Sequence, residues 1–190
     1  MNMRSVALAM AFVSVAGLVG ASRTDYLNVK RKFQTIDKQR PKPGSRVTFT
    51  SAELNSYVEA ELPVVAPKGI RNPHVELLGD NIAMGRALID FVKLRSAQGK
   101  ETSWMIRKLL EGEREVAVTT RVRSGGGQAT VDLQKVEISG IPIQGAALDF
   151  VINNYLIPNY PDAKIGRPFA LHKHVDRIEV ARDVAYVITR

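Results

Sequence analysis

Apolar residues in this chain recur at two periods, and the switches between them divide it into alternating helices and hairpins. Residues 47–50 read as a short strand running into a helix. Thr50 and Glu53 match the capping-box pattern, and Leu54, Tyr57, Val58 and Leu62 form one apolar stripe that ends at Pro63. Asn55, Ser56 and Glu59 fall on the solvent side of that helix. From Ile70 the period becomes two. Val75 and Leu77 alternate up to a Gly79-Asp80-Asn81 turn, after which Ile82, Met84 and Leu88 interleave with Ala83, Ala87, Ile89 and Phe91. Both sets are apolar, so this strand is expected to be covered on both faces.

Residues 102–112 carry a short helical pattern that gathers Met105, Ile106, Leu109 and Leu110 on one side and leaves Trp104 beside Arg107 and Lys108. A tryptophan among cations at the rim of an apolar face suits an interfacial helix or a lid over an oily opening, and equally a half-buried connector. A hairpin follows, 115–124 and 128–139 around Gly125-Gly126-Gly127. Val116, Val118 and Val122 point to one face and Thr119, Arg121 and Arg123 to the other. The chain closes on a second hairpin, 175–180 and 184–188. Hairpins separated by helices predict an α+β fold built on an antiparallel sheet.

The most apolar stretch outside the N-terminus is 141–158, and at helical spacing it has two oily faces. Leu148, Val151, Ile152 and Tyr155 make one stripe, expected against the sheet. Ala146, Phe150 and Ile157 make the other, nearly opposite. A helix on a sheet needs only one apolar stripe, so the second asks for a second partner: more core, another protein or a greasy ligand.

With 190 residues, 45% of them hydrophobic and 24% charged, the chain holds one core and not two. Residues 6–19 carry no charge and follow Arg4, as in a secretory signal, with Val19 and Ala21 placed for cleavage before Ser22. Arg23, Lys30, Arg31 and Lys32 just beyond resist translocation, which keeps an uncleaved anchor open as the alternative. The expected organisation is therefore a signal peptide or anchor over 1–21, a basic linker over 22–46, and one domain over 47–190. In the linker Phe33 and Ile36 can pin a short helix ended by Pro41 and Pro43, and the segment either rests on anionic lipid headgroups or is simply solvated. Residence is periplasmic or on the outer face of the cytoplasmic membrane. A net charge of +8 fits nucleic acid, an anionic membrane surface or mere solubility alike, and export argues against nucleic acid as a partner.

Chemical signatures are sparse. His172 and His174, two apart, would share one face of a strand, but His74 is the only other histidine and there is no cysteine, so exposed strand histidines are expected in place of a metal site. The acids Asp80 and Asp90, or Asp176 and Glu179, have no spacing that marks a general acid. No nucleophile elbow, phosphate loop or zinc-protease helix is present. A non-enzymatic protein without a cofactor is the expectation, with a hydrolase based on Asp and His ranking last.

Three stretches, Val47-Thr-Phe-Thr-Ser-Ala-Glu-Leu-Asn55, Val136-Glu-Ile-Ser-Gly-Ile-Pro-Ile143 and Pro168-Phe-Ala-Leu171, carry a resemblance. The pattern resembles uncharacterised exported bacterial envelope proteins and, more distantly, the tubular TULIP-like (SMP-like) lipid-binding families. The resemblance implies a highly curved antiparallel sheet wrapped around a long helix, a TULIP-like half-barrel, with a hydrophobic groove for lipid and no catalytic residues. On this reading Phe91, Leu109, Leu110, Ala146, Phe150 and Ile157 line the groove, while Trp104, Arg107 and Lys108 touch the membrane. The competing expectation is a structural or assembly protein of the envelope that docks a protein through the second stripe.

Overall fold

The computed structural model describes residues 22–38, 41–66, 69–96, 112–159 and 164–190. It is an α+β fold with two antiparallel sheets. One has three strands in the order β1-β9-β8, formed by β1 (Arg46–Thr50), β9 (Val184–Thr189) and β8 (Val175–Ala181). The other runs β2-β3-β4-β5-β6: β2 (Ile70–Gly79), β3 (Ile82–Asp90), β4 (Glu113–Gly125), β5 (Gln128–Ile138) and β6 (Ile141–Pro142). A further short strand, β7 (Phe169–Ala170), pairs with the start of β5. The coarse expectation of antiparallel α+β therefore holds. The half-barrel does not: the sheets are neither curled into a tube nor closed.

Local chemistry explains why they stay apart. Along its free edge β8 turns its backbone groups towards the tips of the larger sheet and meets side chains and turn residues there, with no further strand alongside. Ser124 Oγ donates to Ile178 O at 2.7 Å and accepts from Ile178 N at 2.8 Å. Asn81 bonds Val180 through its own N–H (2.9 Å) and its Oδ1 (2.9 Å), and Gly127 N donates to Asp176 O at 2.8 Å. An edge satisfied in this way cannot template the next strand.

The hairpin turns follow from residues that tolerate left-handed backbone. Asp80 and Asn81 at the β2–β3 turn have φ of 52° and 59°, as a two-residue primed turn requires, and Gly126 and Gly127 serve β4–β5. Pro73, which cannot donate to a ladder, sits in edge strand β2 where the register slips between Arg71 and His74. One face of the larger sheet is buried through Val75, Leu77, Ala87, Val116, Ala129 and Val136. The other is wet. Met84, Arg86 and Leu88 on β3 are only half-buried and Arg86 pairs with Glu76 at 3.1 Å, so the expectation of a strand covered on both faces is corrected.

The N-terminal segment is also corrected. In place of a linker, Arg23–Lys38 forms helix α1, with Val29 and Ile36 buried and the Phe33 ring tilted against Phe49, centroids 5.3 Å apart. Its apolar residues are few but spaced by three, four and seven, enough for one stripe. Helix α2 (Ser51–Val65) packs beside it and keeps the expected capping box, though it runs two residues past Pro63. Asn55 and Ser56, expected outside, turn inward. The Asn55 amide accepts from Val75 N at 2.6 Å and donates to Val75 O at 2.9 Å, closing the edge of β2, and Ser56 is buried.

The long helix over 141–158 is not formed as a single regular element. Ile141 and Pro142 instead pair with Glu137 and Ile138 as β6. Helix α4 covers Gly145–Val151, a π-helical turn covers Ile152–Leu156, and one last α-turn, α5, covers Ile157–Asn159. The Ile157 N–H bonds Ile152 O, a reach of five residues that rotates every later side chain relative to α spacing. The remaining short helix is α3 (Phe91–Ser96), which starts directly from β3.

Candidate functional site

Two apolar clusters divide the interior. The first joins α1, α2, β1, β8, β9 and the hairpin ends of the larger sheet through Val29, Phe49, Leu54, Val75 and Ile178. The second lies at the other end of the same sheet face and gathers Phe91, Leu94, Val116, Val136 and Tyr155, with Leu148, Phe150 and Val151 packed on its rim. Of the sequence-derived groove residues, Phe91 belongs to this second cluster and Phe150 packs against it.

Tyr155, from the π-helical turn, is its hub. The Phe91 ring stands edge-on to Tyr155 with centroids 5.0 Å apart, and Phe150 meets Tyr155 from another side at 6.1 Å. Phe91 is only 1% exposed because the chain turns from β3 into α3 there, driving it under the sheet face. It is a core residue. Phe150 is half-buried. Ala146 and Ile157, expected beside them, are both exposed. Leu109, Leu110, Trp104, Arg107 and Lys108 lie outside the described residues.

The helical run 145–159 thus covers the sheet on one side only. Leu148, Val151 and Tyr155 face the sheet, while none of the residues of α4 is fully buried. Near it, Ile141, paired with Ile138, is 65% exposed, whereas Ile165, also exposed, is bridged to Val131 nearer the hairpin end of β5. The sheet floor under this region includes Val118, Leu133 and Ile138, all half-buried. Ile141 was visible in sequence as part of an apolar stretch. Nothing around Ile165 signalled it, since its position depends on a tertiary bridge.

The polar candidates are spent on structure. Asp90 accepts from Lys93 N at 2.9 Å, capping α3, and pairs with Lys93 Nζ at 2.8 Å. Burial pushes this carboxyl up, but the hydrogen bonds from the Lys93 side chain and backbone and the Lys93 charge outweigh it, so the group ionises below the usual carboxylate range. Asp176 accepts from Gly126 N at 3.1 Å and from Arg177, while Glu179 pairs with Arg46 and Arg177.

His172 and His174 are not exposed strand residues. They lie in the irregular turn before β8, with rings 5.5 Å apart, and His172 Nε2 lies 3.1 Å from Asp37 Oδ1, joining the last turn of α1 to the body. Sequence spacing placed them on a strand because Val175 begins one just beyond. Among the described residues no group of three or more His, Cys, Asp or Glu side chains is placed to hold a metal ion, and no helix is long and apolar enough to cross a membrane.

Comparison with known proteins finds no family model that matches the chain, and no curated protein and no solved structure that matches it. The geometry of the chain itself carries the functional reading.

Proposed function

We propose that this chain is an exported, non-enzymatic protein of the cell envelope that binds a lipid-like hydrophobic molecule between the 145–159 helical run and the larger sheet. One observation carries the reading: α4 holds Ala146, Ala147, Leu148, Phe150 and Val151 yet none is fully buried, and Ile141 before it and Ile157 after it are exposed. Folding has left aliphatic surface uncovered where a ligand would complete the second cluster. Each methylene of an acyl chain buried there contributes about 0.8 kcal/mol, so a chain of ordinary length binds with no ion pair or reactive group. On this reading the aromatic contact for the ligand is the half-buried Phe150, backed by the Tyr155 ring at 6.1 Å.

The reading is tested by titrating delipidated protein with a fluorescent fatty acid. Ile157→Asp, at an exposed position, and Phe150→Asp, at a half-buried one, are both expected to weaken binding while the circular dichroism of Ile157→Asp stays native. Retained binding in both variants contradicts the proposal. Loss of a protein partner with fatty-acid binding unchanged would instead make the stripe a protein dock.

A further inference from the structure

Helices α1 and α2 run antiparallel, as their contacts show: Tyr26 Oη donates to Glu61 Oε1 at 2.6 Å, the Phe33 and Tyr57 rings meet at 5.1 Å, and Lys32 Nζ bonds Glu53 at 2.5 Å. The start of α1 therefore lies beside the end of α2. Leu27, next to Tyr26, is 48% exposed, and Val64, three residues beyond Glu61, is 79% exposed. Among the described side chains these are the two most exposed large aliphatic ones of the helix pair, and they share one end of it.

Arg23, Leu27 and Arg31 follow one another every fourth residue along the solvent side of α1, opposite Val29 and Ile36. Arg23 and Arg31 are exposed. Lys30 adds charge at the same level, and its ammonium is held above its ordinary pKa first by Tyr26 and then by Glu61. An aliphatic residue between two arginines on one helix face is the arrangement that lies in a lipid headgroup layer.

The sequence supplies the occupant. Residues 5–22, eighteen of them between Arg4 and Arg23, carry no charge, within the roughly 17–25 that a span employs. Helix α1 begins immediately after them: Ser22 O accepts from Tyr26 N at 3.0 Å, and Val29 is fully buried two turns in. No linker separates the uncharged stretch from the folded body.

We infer that the end of the α1–α2 pair formed by Arg23, Leu27 and Val64 is a membrane-docking surface, and that its partner is an anionic lipid bilayer held against it by the preceding uncharged stretch. This rests on the envelope location of the proposed function and not on its ligand, so ligand binding and docking fail in separate experiments. The docked body stands on the helix-pair end, with the β8–β9 hairpin tip pointing away. Asp183 O accepts from Ser51 N at the far end of α2, thirteen residues or about 20 Å from Val64.

The chain has no cysteine, so one introduced thiol reports one position. Full-length Leu27→Cys, Val64→Cys and Arg182→Cys proteins, each carrying a polarity-sensitive fluorophore, are reconstituted in vesicles of phosphatidylcholine and phosphatidylglycerol that contain a lipid quencher at headgroup depth. Labels at 27 and 64 are expected to lose fluorescence and the label at 182 to keep it. Omitting phosphatidylglycerol is expected to diminish the loss at 27 and 64. Equal quenching at all three positions, or none at 27 and 64 in protein that floats with the vesicles, overturns the docking surface. Quenching independent of phosphatidylglycerol overturns the anionic partner.

Discussion

The hydroxyl of Ser124 both donates to and accepts from the backbone of Ile178, at 2.7 and 2.8 Å, so that one side chain satisfies both main-chain groups at that point on the edge of β8. Ile178 is buried, so water does not replace the bonds well when they are lost. Ser124→Ala is expected to lower unfolding stability by about 1–3 kcal/mol, with the native far-ultraviolet spectrum retained. Urea denaturation followed by circular dichroism checks this, and an unchanged midpoint would show that the clasp contributes nothing.

Asn55 performs the same task on the other sheet, where its amide grips both backbone groups of Val75 and also donates to Ser51 O at 2.8 Å. Asn55→Ala is expected to cost about 2–3 kcal/mol, since Val75 is buried and both of its groups lose a partner. Asn55→Asp keeps the acceptor for Val75 N and forfeits both donors. Hydrogen exchange of the Val75 amide separates the two: faster in Asn55→Ala, protected in Asn55→Asp. Equal protection in both would remove the side chain from the account.

Acid stability depends on Asp90. Its carboxyl ionises lower in the folded protein than in the unfolded chain, so the unfolded chain takes up the proton first as pH falls. The contribution is present above the unfolded value of about 4 and is lost as pH drops through the folded value. Asp90→Asn is expected to be less stable than the parent at pH 7 and to lose less stability between about pH 5 and pH 2. Thermal melts across that range decide it, and parallel pH profiles for the two proteins would contradict it.

Sequence pattern reached the hairpins and the capping box because each is written within a few residues: Asp80-Asn81 and the glycines supply positive φ, and Thr50 with Glu53 supplies both halves of the cap. It missed what depends on distant partners. Asn55 reads as a surface residue until β2 lies beside it. Helix α1 reads as a basic tether because Val29 and Ile36 are buried by strands far along the chain. The 141–158 stretch reads as one helix because its composition is helical throughout. The pairing of Ile141–Pro142 with β5 and the five-residue reach at Ile157 are tertiary outcomes. Within the candidate site, apolar spacing set Tyr155 against the sheet, but it put Phe150 on the opposite stripe, so the contact between the two rings was not legible. The core placement of Phe91 was not legible either, since it turns on where β3 ends.

Native mass spectrometry of the protein released gently from the membranes that produced it is the most direct test of lipid binding. The account predicts a population heavier than the polypeptide by the mass of one lipid-like molecule, which organic extraction recovers and which the Phe150→Asp variant lacks. A single species at the polypeptide mass, with no extractable lipid above that of a control protein, would contradict it.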